Sequence, residues 1–413
     1  VQHLAASPCR RGPSVVTIRV GSTQEPATIP VGAPARRTSK VDTIRHADGF
    51  DDVSLAPGTR TVEPADVDTS VELAGLRLDI PVLAASMDAV VDVRSAGVLA
   101  GLGGLAVMNL EGVQMRYEDP APVLERIATA APDEAQAVLS EAYEPAISEA
   151  VVAARIRELH AAGSPAAISA TPAAARRWGP FCAEQGADVF LVQSQVSSAQ
   201  HLASGYEPLE LGEFTQLMGI PVAAGNTTSY EAALALMGQG IAAIFVGVGP
   251  GAACTTREVL GIGVPQVTAI SDVAAARDEH YERSGEYVPV IGDGGMRRGG
   301  EMAKAIAAGA DAVMIGSPLA RAEEAPGHGT NWGMAAPSPT LPRGTRINVG
   351  TLGSMERILF GPSRVADGSE NLVGALRQSM AALGARDIRE MQQVEMVYAP
   401  AVAVEGKSWQ QRG

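Results

Sequence analysis

The chain has 413 residues, of which 46% are hydrophobic, and it carries a formal net charge of −14. This acidic balance argues against non-specific binding to nucleic acid and against an anionic membrane surface as a partner. No apolar stretch of about 18 residues is free of charges, so no membrane span is expected. The three cysteines, Cys9, Cys182 and Cys254, have no metal-ligand spacing. They indicate a reducing compartment, and we expect a cytoplasmic protein.

Residues 1–40 differ from the remainder of the chain. They are rich in Arg, Ser, Thr and Pro and contain one acidic residue, Glu25. The segment lacks the apolar core of a secretory signal. We therefore expect a disordered extension over residues 1–40, or a start codon placed too far upstream, followed by a single domain over residues 41–413.

From residue 80 onward, short apolar runs alternate with segments of helical length such as Tyr230–Gly238 and Gly299–Ala308. Near-continuous apolar runs are typical of parallel strands that are covered on both faces. There are eight such runs: Ile80–Ala85, Leu102–Met108, Ala166–Ala170, Asp188–Val192, Ile220–Ala224, Ala242–Val246, Val288–Ile291 and Asp311–Ile315. Eight β/α units predict an α/β fold, a closed (β/α)8 TIM barrel. The alternative is a doubly wound open sheet, although Ile80–Asp88 lacks the GxGxxG fingerprint expected after its first strand.

The residues that follow these runs are the candidates for chemistry, because sites in such barrels lie at the C-terminal ends of the strands. They are Met87, Asp88, Asn109, Thr171, Gln193, Gln195, Asn226, Cys254, Asp293 and Ser317. Glycine turns after the seventh and eighth runs, at Gly294–Gly295 and Gly316, are typical of a phosphate cradle made of backbone amides. Asp293 enters this cradle as a carboxylate that can accept hydrogen bonds from two ribose hydroxyls. The alternative is that Asp293 caps the following helix.

The stretch 247–257, GVGPGAACTTR, places Cys254 on a glycine-rich loop after the sixth run. The alternating Gly247, Gly249 and Gly251 suit a backbone that must approach a ligand or an ion closely. Loop amides favour the thiolate, which is the nucleophilic form of cysteine. The alternative is a small apolar filler, but a filler needs no such loop. We therefore interpret Cys254 as a nucleophile.

Several motifs, taken together, resemble the IMP dehydrogenase/GMP reductase family. They are FDDVSLAPG at 50–58, ASMDAVVD at 85–92, GGLAVMN at 103–109, the cysteine loop, and GDGGMRRGGEMAKAIAAGADAVMIGSPLARAEEAPG at 292–327. Their order is kept from about residue 40 to the C-terminus, which makes the resemblance far more specific than one glycine pattern. The section NVGTLGSMERILFGPSRVADGSENLVGALRQSM is similar to the IMP dehydrogenase-related branch. We expect the chain to lack the regulatory nucleotide-binding domains of many family members.

The resemblance implies a purine nucleotide oxidoreductase that acts at carbon 2 of IMP or GMP, in a barrel domain with a C-terminal flap and tail. In this interpretation Cys254 attacks carbon 2, Thr256 positions the reacting group and Glu356 supplies a carboxylate for proton transfer. The alternative for Glu356 is a solvated helix glutamate. Substrate-binding residues would hold the base, the ribose and the phosphate: Met87, Asp293, Gly294, Gly295, Gly316, Ser317, Gly353 and Ser354.

The resemblance also implies a nicotinamide cofactor, NAD or NADP, and a potassium ion. The residues expected near the cofactor are Gln193, Asn226, Gly247 and Gly249. The carbonyls of Gly249, Gly251 and Cys254 would line the potassium site, with Glu405–Gly406 of a neighbouring subunit completing it. A homotetramer or a larger homo-oligomer is expected.

Some residues depart from the family pattern. The phosphate-binding serine two residues before the cysteine is Ala252, the serine two residues before Met87 is Ala85, and an aspartate that faces the cofactor is Gln193. The segment between Ser354 and Asn371 is short and has no tyrosine, whereas IMP oxidation uses an Arg-Tyr pair on a long flap to activate water. The direction GMP plus NADPH to IMP plus ammonia is therefore favoured.

Three alternatives stay open. One is IMP oxidation, from IMP plus NAD to XMP plus NADH. Another is a nucleotide-binding regulator without turnover, which Ala252 and Gln193 favour and the retained Cys254 and Thr256 disfavour. The third is another phosphate-binding barrel enzyme such as a flavin oxidoreductase, which does not explain the cysteine loop.

Overall fold

The computed structural model describes residues 43–333 and 346–400. Contacts divide the chain into two units, residues 1–46 and residues 47–413. Of the first unit only residues 43–46 are described, and the second unit holds every strand and helix given below. The extension predicted over 1–40, including Cys9, and the pair Glu405–Gly406 lie outside the described residues.

Eight parallel strands close into a barrel, which confirms the predicted fold and excludes the open sheet. Numbered in chain order, the barrel strands are β4 (Val82–Ala84), β5 (Leu105–Asn109), β6 (Ala167–Ala170), β7 (Val189–Gln193), β8 (Val222–Thr227), β9 (Ala243–Val246), β10 (Val290–Asp293) and β11 (Ala312–Ile315). Each strand pairs with its neighbours in chain order, and β11 closes the ring on β4. Every one of the eight coincides with a predicted run.

Three of these strands begin directly after a proline, at Pro81, Pro221 and Pro289. The predicted runs there start earlier than the observed strands, because proline has no N–H to donate to a ladder. Its carbonyl still accepts: Pro81 accepts from the amide of Val313 at 2.9 Å, and Pro221 from that of Phe190 at 3.0 Å. Proline therefore marks the strand starts at the N-terminal end of the barrel.

The remaining strands and the helices surround the barrel. The strands are β1 (Val53–Leu55), β2 (Val71–Leu73), β3 (Leu76–Leu78), β12 (Thr330–Asn331), β13 (Ile347–Asn348) and β14 (Met396–Tyr398). The helices are α1 (Val93–Gly101), α2 (Ala121–Thr129), α3 (Ala135–Ala142), α4 (Glu149–Ala161), α5 (Pro172–Glu184), α6 (Leu211–Met218), α7 (Tyr230–Met237), α8 (Thr256–Leu260), α9 (Gln266–Ser284), α10 (Gly299–Ala307), α11 (Ser317–Ala320), α12 (Met355–Phe360), α13 (Leu372–Ala382) and α14 (Ile388–Met391). Because helices cover the outer face, almost every barrel-strand residue is buried, as parallel sheets require.

Polar caps fix several helix starts. Ser148, Thr171 and Ser229 each accept a hydrogen bond from the third residue of α4, α5 and α7, and Asp92 forms a reciprocal capping box with Ser95 at α1. Such caps contribute about 1 kcal/mol each. Since Thr171 and Ser229 follow strands β6 and β8 closely, their caps also fix the loops at the C-terminal mouth of the barrel.

A buried polar cluster joins the elements at the opposite end, where β11 begins. The Asp311 carboxylate accepts hydrogen bonds from the amide of Val290 at 2.8 Å, the Tyr287 hydroxyl at 2.8 Å and the Gln392 amide at 3.1 Å. Arg277 lies 3.3 Å from the same carboxylate. Burial raises the pKa of Asp311, and Arg277 opposes that shift. The cluster ties α9, β10, β11 and α14 together away from the mouth, where such groups serve stability.

The C-terminal part of the described chain packs back onto the barrel. Strand β14 pairs antiparallel with β1, and α13 packs against α10. A Cβ at Gly299 would lie 2.3 Å from the Cβ of Ala375, so this close helix crossing requires glycine. Among the described residues, no helix is both long enough and apolar enough to cross a membrane.

Candidate active site

A cavity of about 720 Å³ opens at the C-terminal ends of the barrel strands, where the sequence predicted a site. Its size is ordinary for a small-molecule pocket. The predicted site residues that line it are Met87, Gln193, Asn226, Gly247, Gly249, Gly251, Cys254, Thr256, Asp293, Gly294, Gly295, Gly316 and Ser317. Thr171, which follows β6, also lines the cavity, so the structure gathers residues from seven of the eight strand ends around one space.

Cys254 lies on the loop between β9 and α8. Its side chain is half-buried, and its Sγ lies 3.0 Å from the Oγ1 of Thr256, which is the first residue of α8. The loop is held in place because Arg257 donates to the carbonyls of Val248 at 3.2 Å and Val264 at 2.9 Å. The thiol and the hydroxyl that the sequence paired are thus within hydrogen-bonding distance.

Gly249 shows why this loop is rich in glycine. Its φ is +75°, and a Cβ there would lie 2.6 Å from the Cγ of Arg257. A side chain at this position would therefore be strained and would displace the arginine that holds the loop.

Asp293 ends strand β10, and one of its oxygens is fixed by two amides. Its Oδ2 accepts from the Nδ2 of Asn226 at 2.7 Å and from the Nε2 of Gln193 at 3.2 Å. Burial raises the pKa of Asp293 to about 6, although the bond from Asn226 opposes the shift. The carboxyl group still lines the cavity. Asp293 does not cap α10, since the N-cap is Arg298, so the capping alternative is wrong.

Gln193 and Asn226 form one buried chain of hydrogen bonds with Asp293. Ser86 donates to the Oε1 of Gln193 at 3.0 Å, Gln193 donates to the Oδ1 of Asn226 at 3.1 Å, and Asn226 donates to the carbonyl of Gly247 at 2.9 Å. These bonds fix both amide orientations. The amides of Gln193 and Asn226 thus bond to Asp293, to each other, to Ser86 and to the carbonyl of Gly247, and their contact with a cofactor stays a prediction.

The glycine turns stand beside this network. Gly294 and Gly295 both have φ of +80°, and a Cβ at Gly295 would lie 3.1 Å from the Cβ of Pro250 on the cysteine loop. A Cβ at Gly316 would lie 3.1 Å from the Sδ of Met87. The two turns therefore pack closely against their neighbours and leave their backbones at the cavity wall.

Sequence reasoning missed two buried residues at this site. Gln266 donates to the carbonyls of Val246 at 2.8 Å and Asp293 at 3.0 Å, so it joins the ends of β9 and β10. Asn331 lines the cavity and donates to the Oγ of Ser317 at 3.1 Å. Gln266 follows Pro265 at a helix start and Asn331 lies in a short strand, so no local pattern marks either residue.

Three predicted residues do not line the cavity. The carbonyl of Gly353 accepts from the amide of Glu323 at 2.9 Å, Ser354 caps α12, and Glu356 is exposed on α12. The proton-transfer role expected for Glu356 thus gains no support from its position. Its alternative as a solvated helix glutamate fits the exposure.

The potassium site expected at the cysteine loop stays a prediction. The described residues contain no group of three or more His, Cys, Asp or Glu side chains that could hold a metal. The candidate ligands are instead backbone carbonyls of the cysteine loop, and that of Gly251 already accepts from the amide of Cys254 at 3.0 Å. A carbonyl oxygen has two lone pairs, so Gly251 can accept this bond and still contact an ion.

The barrel and the cysteine loop at its mouth place the chain among the α/β-barrel enzymes. The sequence profile of the IMP dehydrogenase / GMP reductase domain matches residues 47–334. The chain belongs to the IMP dehydrogenase/GMP reductase family and is an oxidoreductase of that kind. This confirms the resemblance drawn from the motifs.

Individual relatives agree with this assignment. An uncharacterized oxidoreductase of Mycolicibacterium smegmatis is 39% identical over 375 residues, which cover 89% of this chain and 98% of the relative. The inosine-5′-monophosphate dehydrogenase of Methanocaldococcus jannaschii is 28% identical, covering 83% of this chain and 90% of the relative. The crystal structure of an IMP dehydrogenase/GMP reductase-like protein from Corynebacterium glutamicum superposes with a TM-score of 0.81 at 34% identity, covering 86% of this chain and 95% of the other.

Proposed function

We propose that the protein is a purine nucleotide oxidoreductase that acts at carbon 2 of IMP and GMP through a covalent bond to Cys254. The observation that carries this proposal is the pairing of the Cys254 thiol with the Thr256 hydroxyl, 3.0 Å apart, at the wall of a cavity that also contains Asp293. A nucleophile beside a hydroxyl, next to a fixed carboxylate, is the arrangement that covalent catalysis needs.

Each residue of the site has a separate role in this proposal. Asp293 accepts the ribose hydroxyls, while Asn226 and Gln193 hold its carboxylate in place. The glycine turns and Ser317 face the phosphate. Cys254 then adds to carbon 2 as the thiolate. Thr256 can donate or accept a proton at the reacting carbon, because its hydroxyl already contacts the sulfur.

A nicotinamide cofactor, NAD or NADP, supplies or accepts the hydride at carbon 2. The space beside Cys254 suits a second flat ligand, since Gln195, Val196 and Thr171 line the same cavity. In the GMP direction, the thiolate bonds to carbon 2 and the amino group leaves as ammonia after taking up a proton. The hydride then reaches carbon 2 and the carbon–sulfur bond breaks to release IMP and the thiolate.

We favour this reductive direction because the segment between Ser354 and Asn371 contains no tyrosine to activate water. IMP oxidation is the second candidate. The exposed position of Glu356 favours IMP oxidation, because it leaves ammonia release without the carboxylate that was expected to assist it. The proposal includes a potassium ion at the carbonyls of Gly249, Gly251 and Cys254, and a homo-oligomer of four or more subunits.

The covalent step is tested by the intact mass of the protein after incubation with IMP and NAD. When the thiol loses its proton and IMP gives a hydride to NAD, the nucleotide remains bonded to the sulfur through carbon 2. This adduct should accumulate when its hydrolysis is slow. We expect one added nucleotide on the peptide that carries Cys254, and none in Cys254→Ala. Adduct formation in Cys254→Ala would overturn the assignment of the nucleophile.

A further inference from the structure

A second cavity of about 260 Å³ adjoins the nucleotide cavity at its phosphate end. The two share three lining residues, Ala252, Arg297 and Ser317. The second cavity is otherwise lined by Arg298, Pro318, Arg321, Val349, Asp367 and Ser369. A ligand group that passes Ser317 therefore meets three arginines.

The lining of the second cavity carries an excess of positive charge. Its one carboxylate, Asp367, accepts from the hydroxyl of Ser369 at 2.6 Å and from its amide at 2.9 Å. These bonds, and more weakly Arg321 and Arg298, hold the pKa of Asp367 below its ordinary value, so it stays ionised at neutral pH. The lining thus contains three arginines and one carboxylate, and Arg297 has a second acidic neighbour in Glu301. The remaining positive charge favours an anion such as a phosphate monoester, which carries about −1.5 to −2 at pH 7.

Arg321 is the most informative of the three. It is half-buried, and its buried Nε has no hydrogen-bond acceptor among the described residues. A buried donor without a partner destabilises the fold unless a ligand supplies an acceptor. The more exposed Arg297 lies 3.9 Å from Glu301, which is too long for a strong hydrogen bond. Guanidinium groups are suited to phosphate because their planar fork donates to two oxygens at once.

Two further residues fit a phosphate at this junction. Ser317 accepts from Asn331 at 3.1 Å, which leaves its own hydroxyl proton available to a ligand oxygen. Ala252 presents only a methyl group where the two cavities meet, so position 252 offers the phosphate no hydroxyl there. The neighbouring arginines can then add charge-assisted hydrogen bonds to those from Ser317 and the glycine turns.

We infer that Arg321, assisted by Arg298, binds the 5′-phosphate of the nucleotide substrate from the second cavity, so that the phosphate is recognised mainly by guanidinium groups and Ser317. The inference rests on the proposed function, because it assigns one end of the same substrate. It makes the phosphorylated nucleotide the required ligand and a nucleoside a poor one.

The test is calorimetric binding of IMP and of inosine to the full chain, without cofactor. Arg321→Gln should weaken IMP binding about tenfold to a hundredfold, the range that one charge-assisted pair gives. Arg298→Gln should weaken it less, and Arg321→Lys should restore part of the loss. Inosine binding should not change in any variant. Arg157→Gln, an exposed position on α4, is the matched control and should behave as the wild type.

The results that would contradict this inference can be distinguished from those that would contradict the proposed function. If the wild type binds IMP far more tightly than inosine and Arg321→Gln keeps that difference, this inference is wrong while the proposed function stands. If IDP binds at least tenfold more tightly than IMP and both arginine variants lose only that gain, the second cavity holds a second phosphate and the inference is also wrong. A wild type that binds neither IMP nor GMP removes the proposed function and this inference together.

Discussion

Replacing Asp293 with asparagine should weaken nucleotide binding and stabilise the free protein at the same time. The substitution keeps the shape of the side chain but removes its charge. Its Oδ1 can still accept from Asn226 and Gln193, which places the new N–H₂ group toward the cavity. The ribose hydroxyls then lose a charged acceptor, whereas the folded chain no longer buries a carboxylate.

The expected loss of nucleotide affinity and the expected gain in stability both follow from the structure. Each hydrogen bond to a charged group contributes about 1.5–3 kcal/mol, so loss of two should weaken GMP or IMP binding at least a hundredfold. Burial raises the pKa of Asp293 from 3.8 to about 6. A raised pKa means that the fold favours the protonated form, so ionisation costs the folded state up to about 3 kcal/mol at pH 8. That cost falls as the pH drops through 6 and disappears near the ordinary pKa.

Calorimetry at neutral pH gives the affinity, and thermal unfolding at pH 8 and pH 4.5 gives the stability. We expect Asp293→Asn to melt above the wild type at pH 8, with the difference shrinking at pH 4.5. Asp133→Asn, at an exposed position, is the control and should change neither property. Unchanged nucleotide affinity would refute the ribose assignment, and a stability difference that does not shrink on acidification would refute the burial argument.

Three further outcomes are expected. Turnover should fall when potassium is replaced by a bulky organic cation, and equal rates in both would exclude the carbonyl site around Gly249. An alkylating reagent should label Cys254, and bound nucleotide should prevent this labelling. Cys182 should be labelled slowly, because burial raises the pKa of that thiol to about 12. Peptide mapping that finds Cys182 labelled first would contradict this expectation. Tyr143→Phe should lower the free energy of unfolding by about 1.5–3 kcal/mol, since Tyr143 donates to the buried Asp88 carboxylate at 2.6 Å. Urea unfolding measures this loss, and an unchanged midpoint would show that the bond contributes nothing.

The barrel could be predicted from the sequence because its signal is local. Each strand is a short apolar run, and eight runs with helical segments between them admit few arrangements. The same rule located Cys254, Asp293 and Ser317, since the ends of parallel strands meet at one mouth. Strand starts were less accurate, because every predicted run begins before its strand. At three strands the cause is a proline such as Pro81, which interrupts the ladder inside the apolar run.

The contacts between side chains could not be predicted in this way. The contact of Gln193 with a cofactor stays a prediction, and no local pattern indicated its bond to Asp293, a residue distant in sequence. Asn331 and the arginine-lined second cavity depend on how α10, α11 and the chain beyond residue 346 pack together, which no periodicity records. Glu356 is a different case: its place in a motif suggested chemistry, and its exposed position on α12 gives that role no support.

The central claim is most directly tested by the near-ultraviolet absorbance of reduced nicotinamide, followed with the full chain and two substrate pairs. With GMP plus NADPH, we predict a steady loss of absorbance, faster than any gain with IMP plus NAD, and neither change in Cys254→Ala. A gain with IMP plus NAD that exceeds the loss with GMP plus NADPH would reverse the direction proposed here. No change with either pair in the wild type, or undiminished change in Cys254→Ala, would contradict cysteine-based chemistry at carbon 2.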